Sequence, residues 1–284
     1  MRRLAFAFLL AVTAASLIQA QAQPGESVIR LDPALDAIIS PTAKLEMLKT
    51  DEYGISEGPV WVRDGQTGYL LFSDIVANVV YKWTPDNKVS VYLKDSGYTG
   101  PLAKVSMEGY IARSGPLFVF DFGSNGLTLD KQGRLVLCAQ GDRAIVRIEK
   151  DGTRTVLADR YEGKRLNRPN DLVMKSDGAV YFSDPHMDNP TMELTINGVF
   201  MAKDGKVQLL ASDFRPNGLA FSPDEKILYL NGNGGIRSYD VRPDGTIENG
   251  RVFIDMRSDK TPGGPDGMKV DQKGNVYCTG PGGI

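Results

Sequence analysis

From residue 57 onward, apolar and polar residues alternate over runs of about four to six, the signature of strands with one buried and one wetter face. Val79-Val80-Tyr81-Lys82-Trp83, Ala144 to Ile148 and Lys226 to Leu230 are such runs. Asp86-Asn87, Asp151-Gly152, Asp177-Gly178, Asp204-Gly205 and Asp244-Gly245 punctuate them with turn-forming pairs. No long stretch carries the 3.6-residue period of an amphipathic helix; Ala34 to Ile39 suits only a short helical turn. The pattern predicts an all-β chain.

The alternation is itself repeated. Glu57-Gly58, Asn125-Gly126, Asn170-Asp171, Asn217-Gly218 and Asp266-Gly267 each open a similar segment. Four of these run closely alike: NGLTLDKQGRLVLC, NDLVMKSDGAVYFS, NGLAFSPDEKILYLN and DGMKVDQKGNVYCT. EGPVWVRDGQTGYLLFSD is a looser relative. The last four start about 45–50 residues apart, the length of one four-stranded propeller blade. Radial stacking carries the equivalent position of every blade to one ring around the axis. Asn-Gly and Asp-Gly are also hairpin turns. Here, however, a strand-like run follows each pair at once, the proper turn comes later, and Glu57 is no turn residue.

Between Glu57 and Asn125 the spacing is longer, and the surplus lies in residues 97–123. Such an insertion falls on one face of a propeller, either as a lid over the channel or as a plain surface loop. A further copy of the repeat would open near residue ~313, whereas the chain runs to Ile284. The expectation is a propeller incomplete in its last blade, residues 51–284, after a lead-in at 23–50.

Composition narrows the partners. The 284 residues carry a formal net charge of −2 and no basic cluster, which argues against nucleic acid and anionic membrane surfaces. Arg2-Arg3, the apolar run Leu4 to Ile18 and Ala20-Gln21-Ala22 read as a signal peptide over residues 1–22, with an N-terminal anchor helix as the other reading. The mature protein is therefore expected in a periplasm or outside the cell, with no membrane partner once the signal is removed. Cys138 and Cys278 make no disulfide framework.

Convergence of the repeat openers would gather oxygen donors. Glu57, Asn217 and Asp266 offer two carboxylates and a carboxamide, hard ligands suited to Ca²⁺, Mg²⁺ or Mn²⁺, with Zn²⁺ less natural. The lone histidine, His186, excludes His-cluster metal sites. It follows Asp184-Pro185 and is expected to serve structure or surface more than catalysis. If Asn170 faces the channel, Arg168 alternates onto the same side, able to hold a polyol or carboxylate. A solvated loop arginine is the other reading. Asp171 and Asp184 are open to reading as ordinary turn acids.

The ordered blocks EGPVW (57–61), SGYTG (96–100), GSNGLTLD (123–130), LADRYEGKRLNRPNDLVMKSDG (157–178), FSDP (182–185), RPNGLAFSPDEKILY (215–229) and PDGMKVDQKGNVYCTGPGG (265–283) resemble the senescence marker protein/gluconolactonase/regucalcin family of six-bladed propellers. The resemblance covers the chain from about residue 50 onward. It implies a metal-dependent hydrolase of sugar lactones, such as gluconolactone, with one divalent cation, Ca²⁺ foremost. The family's metal ligands match Glu57, Asn217 and Asp266, with Asn170 sometimes approaching the metal. Its substrate-contacting residues match Arg168 and Asn170, and Asn125 fills an equivalent slot as a further pocket residue. Gln140 and His186-Met187 depart from the family pattern at places suited to altering substrate choice. The implied mechanism polarises the lactone carbonyl at the cation and lets water attack, with Asp266 as general base and Glu57 second for that role. A non-catalytic propeller that binds a sugar or protein around a structural metal is the alternative.

Overall fold

Period-two alternation sends successive side chains of a strand to opposite faces, and in blades II and III both faces are covered by neighbouring sheets. The computed structural model describes residues 28–49, 53–101, 111–114, 117–120, 122–186 and 192–284. The chain divides into two units, Met1–Thr50 and Asp51–Ile284. Within the first, a 3₁₀ turn spans Pro33–Ala37, capped by the Asp32 carboxylate on the Ala34 amide at 2.8 Å. Residues 1–22, expected to be a signal peptide, lie outside the described residues.

The second unit is a β-propeller of antiparallel sheets whose strands pair in chain order. Blade I consists of Ser56–Asp64, Thr67–Asp74, Val79–Thr84 and Lys88–Lys94. Blade II consists of Ser124–Leu129, Leu135–Ala139, Ala144–Ile148 and Arg154–Ala158. Blade III runs through Leu172–Met174, Val180–Asp184, Gly198–Lys203 and Lys206–Ala211. Blade IV runs through Pro216–Phe221, Ile227–Gly232, Gly235–Val241 and Ile247–Asp255. A fifth sheet has two strands, Met268–Val270 and Val276–Cys278. The first strands of successive blades pack on one another in sequence order, I on II, II on III, III on IV and IV on V.

The core is a series of layers between blades. Leu137 and Ala139 join Leu71 and Val80 between blades I and II. Their strand neighbours Val136 and Cys138 instead join Phe182 and Phe200 between blades II and III. Blade III repeats the division: Val180 and Phe182 face blade II, while Tyr181 packs with Leu219 and Phe221 of blade IV. Phe182 stacks on Phe200 at 5.4 Å and Tyr181 meets Phe221 edge-on at 4.8 Å. Each such fully buried ring is worth about 1.5–3 kcal/mol by area. Cys138 is one of these core side chains and burial pushes its thiol well up; it and Cys278 are both free.

The ends of the 97–123 insertion are pinned. Asn78 accepts the Gly97 and Tyr98 amides through Oδ1 and donates from Nδ2 to the Tyr98 carbonyl. Asp142 holds the amide and hydroxyl of Thr99, each at 3.0 Å. Ile111–Ser114 and Leu117–Phe120 pair as a hairpin within the insertion. Residues 102–110, 115–116 and 121, on which the lid reading also depends, lie outside the described residues.

Candidate active site

Each repeat opener stands at or just before the start of a blade's first strand, and in blades I, II and IV the pairing there is irregular. The register shifts between Glu57 and Val60, between Ser124 and Leu127, and between Pro216 and Leu219. A bulge of this kind turns a side chain away from the sheet face and towards the axis. Asn170 and Asp266 lie two residues before their strands. The turn reading of these pairs therefore fails: they are entry points of inner strands, and the hairpin turns come later.

The glycine after Glu57, Asn125 and Asn217 has a steric reason. Gly58 takes φ = 58°, and a Cβ there would fall 2.3 Å from the Asn125 carbonyl oxygen of the next blade. A Cβ on Gly218 would fall 2.2 Å from the Asp266 carbonyl oxygen. Between blades II and III the Gly126 amide donates to the Asn170 carbonyl at 2.8 Å. Backbone against backbone, without a side chain between, is what brings successive donors close together.

Glu57, Asn125, Asn170, Asn217 and Asp266 all line one cavity of about 360 Å³, with Asp171 and Lys269 among the other walls. The first four also line a second cavity of similar size, beside Arg168, Gln140 and Arg215. The donors thus form the partition between two halves of a channel. Every residue singled out from the sequence for metal or substrate is in this wall, Arg168 only on the second side and Asp266 only on the first. His186, half-buried, lines neither; its amide donates to Asn197 Oδ1 at 2.9 Å.

Arg168 is no solvated arginine: it is 3% exposed. Nor does strand alternation place it, since residues 166–171 precede the strand. Asp184 does so instead. Its two carboxylate oxygens accept the Asn167 amide at 2.7 Å and the Arg168 amide at 2.6 Å, while Arg143 Nε donates to the Leu166 carbonyl at 2.6 Å. Burial pushes Asp184 up to about 7, against the pull of those two amides and the Arg143 charge. Asp171 is also buried and its pKa is raised by burial, partly offset by Lys269 and by the Leu172 and Leu219 amides. Neither acid is the turn residue that its sequence context suggested.

Buried polar oxygens without a hydrogen-bond partner in this region include Asp171 Oδ2 and Gln140 Oε1. Buried oxygens are seldom left so. Each lines one side of the partition and is available to a ligand donor or cation. No three His, Cys, Asp or Glu side chains cluster as a metal site among the described residues. The ring has two carboxylates, and its other donors are carboxamides. That set fits a hard, oxygen-ligated cation and not a thiolate or imidazole site.

Known proteins resemble this chain in sequence and in fold. Residues 55–284 match the SMP-30/Gluconolactonase/LRE-like region. A gluconolactonase from Zymomonas mobilis is 35% identical over 300 residues, covering 96% of this chain and 80% of the relative. The solved structure of a gluconolactonase from Xanthomonas campestris is 33% identical, covers 91% of this chain and 79% of that one, and superposes with a TM-score of 0.71. A calcium-binding regucalcin from Agrobacterium tumefaciens, 19% identical over 84% of this chain and 74% of its own, shares the fold with a TM-score of 0.58.

Proposed function

Since the chain belongs to the SMP-30/gluconolactonase/LRE-like family, we propose that it hydrolyses sugar lactones of the gluconolactone kind. The observation that carries this reading is the convergence of Glu57, Asn125, Asn170, Asn217 and Asp266, from five separate repeats, on one cavity wall. Glu57, Asn217 and Asp266, with Asn170 beside them, would hold one divalent cation, Ca²⁺ first among the candidates. Bound there, a cation supplies Lewis-acid polarisation of the lactone carbonyl and lowers the pKa of nearby water.

The rest of the chemistry falls to the side chains. Asp266 takes the proton of the attacking water, with Glu57 second for that role. Water oxygen bonds to the carbonyl carbon, the ring C–O bond breaks, and the departing oxygen is protonated, giving the hydroxy acid. Arg168, Asn170 and Asn125 orient the sugar hydroxyls from the second cavity, where the Gln140 oxygen also points to a hydroxyl donor. No activated serine or cysteine nucleophile enters the scheme, consistent with a single histidine outside the wall. The leader at residues 1–22 makes this an exported enzyme whose mature chain begins at Gln23.

Asp266→Ala is expected to abolish gluconolactone hydrolysis and to remove cation binding seen by calorimetry, with the β-type circular dichroism unchanged. Full activity of the wild type after chelation and dialysis would contradict the scheme.

A further inference from the structure

Two of the donor positions are joined through a single side chain that faces neither cavity. Asn231, near the end of the second strand of blade IV, has no exposed surface. Its Oδ1 accepts the Gly218 amide at 2.9 Å. Its Nδ2 donates to the Asp266 carbonyl at 2.5 Å and lies 3.2 Å from Cys278 Sγ. Gly218 directly follows Asn217, so one rigid amide plane ties the backbone of both donors together across the junction of blades IV and V.

The junction has no slack. A Cβ on Gly218 would meet the Asp266 carbonyl oxygen at 2.2 Å and Asn231 Nδ2 at 2.9 Å. A carboxamide offers an acceptor and a donor at this spacing, which a carboxyl group of the same size does only when protonated. An ionised carboxylate in its place would set an acceptor against the Asp266 carbonyl. An aliphatic side chain would leave a buried amide and a buried carbonyl without their partner.

We propose that Asn231 is a positioning residue that fixes the separation of Asn217 and Asp266, and thereby the affinity of that pair for a divalent cation. The inference rests on the cation reading under Proposed function. A built-in control lies at the junction of blades I and II. There Ser73, at the matching end of its second strand, donates to the Asn125 carbonyl at 2.8 Å and pairs with Ser124 Oγ at 2.8 Å. Ser73 is equally buried and braces the ring, yet it touches neither Asn217 nor Asp266.

The test is a calorimetric titration of the full chain with CaCl₂, run on the wild type and on Asn231→Asp, Asn231→Ser and Ser73→Ala. Thermal midpoints and the kcat and KM for gluconolactone are recorded alongside. Asn231→Asp keeps the volume and reverses the donor; Asn231→Ser removes volume without adding charge, so one failing to fold leaves the other. Each folded Asn231 variant is expected to bind Ca²⁺ about 10–100-fold more weakly, as loss of an orienting partner behind a ligand does. Raised CaCl₂ should restore much of the kcat. Ser73→Ala should lower the thermal midpoint while changing Ca²⁺ affinity by less than about threefold, since its contacts avoid the ligand pair. Folded Asn231 variants with wild-type affinity would overturn the inference alone. Equal weakening by Ser73→Ala would overturn it too, by showing a general loosening of the ring. A wild type that binds no cation would overturn both it and the cation reading.

Discussion

Blades I and III end their second strands on the same three residues, Phe72-Ser73-Asp74 and Phe182-Ser183-Asp184, yet the two aspartates do different work. Asp74 accepts the amides of Gly54, Val76 and Ala77 at 3.0–3.1 Å, closing the chain around its own hairpin and the approach to Glu57. Asp184 accepts two shorter bonds from Asn167 and Arg168, and these belong to the segment that carries the cavity's buried arginine. Burial raises Asp184 to about 7. One motif thus supplies a fold clamp in one blade and a site clamp in another. The difference lies in what each acid holds: Gly54 and the Val76-Ala77 hairpin in blade I, and the Asn167-Arg168 segment in blade III.

Replacing each acid separates the two roles. Asp184→Ala should cut kcat/KM for gluconolactone by about 100-fold or more, because a displaced Arg168 and Asn170 lose their orientation of substrate. Asp74→Ala should lower the unfolding midpoint at least as much but reduce kcat/KM by only about tenfold or less, its lost bonds being mostly turn bonds. If the two variants fall equally in activity, the distinction between fold clamp and site clamp is broken.

A smaller effect sharpens the same contrast through pH. In the unfolded chain an aspartate ionises near about 4, whereas folded Asp184 does so near about 7. Between those values the folded state binds the extra proton, so this group's contribution to stability is greatest below about pH 4 and is lost as pH rises towards 7. Urea midpoints of the cation-free protein should therefore show a falling component over that window. Asp184→Asn should remove it and Asp74→Asn should leave it in place. A wild-type curve without that component would show that Asp184 is ionised throughout.

The strands and the ring of donors were legible in the sequence, because both come from short-range rules repeated in every blade. Alternation marks the inter-blade faces, and the glycine after Glu57, Asn125 and Asn217 is demanded by the next blade's backbone. Arg168 was legible in place but not in cause: the sequence suggests strand alternation, and the structure holds it in a loop by Asp184 and Arg143. Asp171 and Asp184 were obscured because an acid near Asn, Pro and Gly has the same local signature whether it caps a turn or lies fully buried. Asn231 and Ser73 stand at matching strand ends, a place that blade III fills with Ser183 and blade II with Cys138. Such a variable position gives no repeat signal. Its meaning comes from the carbonyl of the adjacent blade, which no local pattern displays.

The central claim is that donors distant in sequence clasp one cation at the wall between the two cavities. Anomalous diffraction from crystals soaked in MnCl₂ tests it most directly. The account predicts one strong peak bonded to oxygens of Glu57, Asn217 and Asp266 at about 2.0–2.5 Å, the range for hard divalent ions. A soaked, well-ordered crystal with no peak there, or with its only strong peak away from these three side chains, would contradict it.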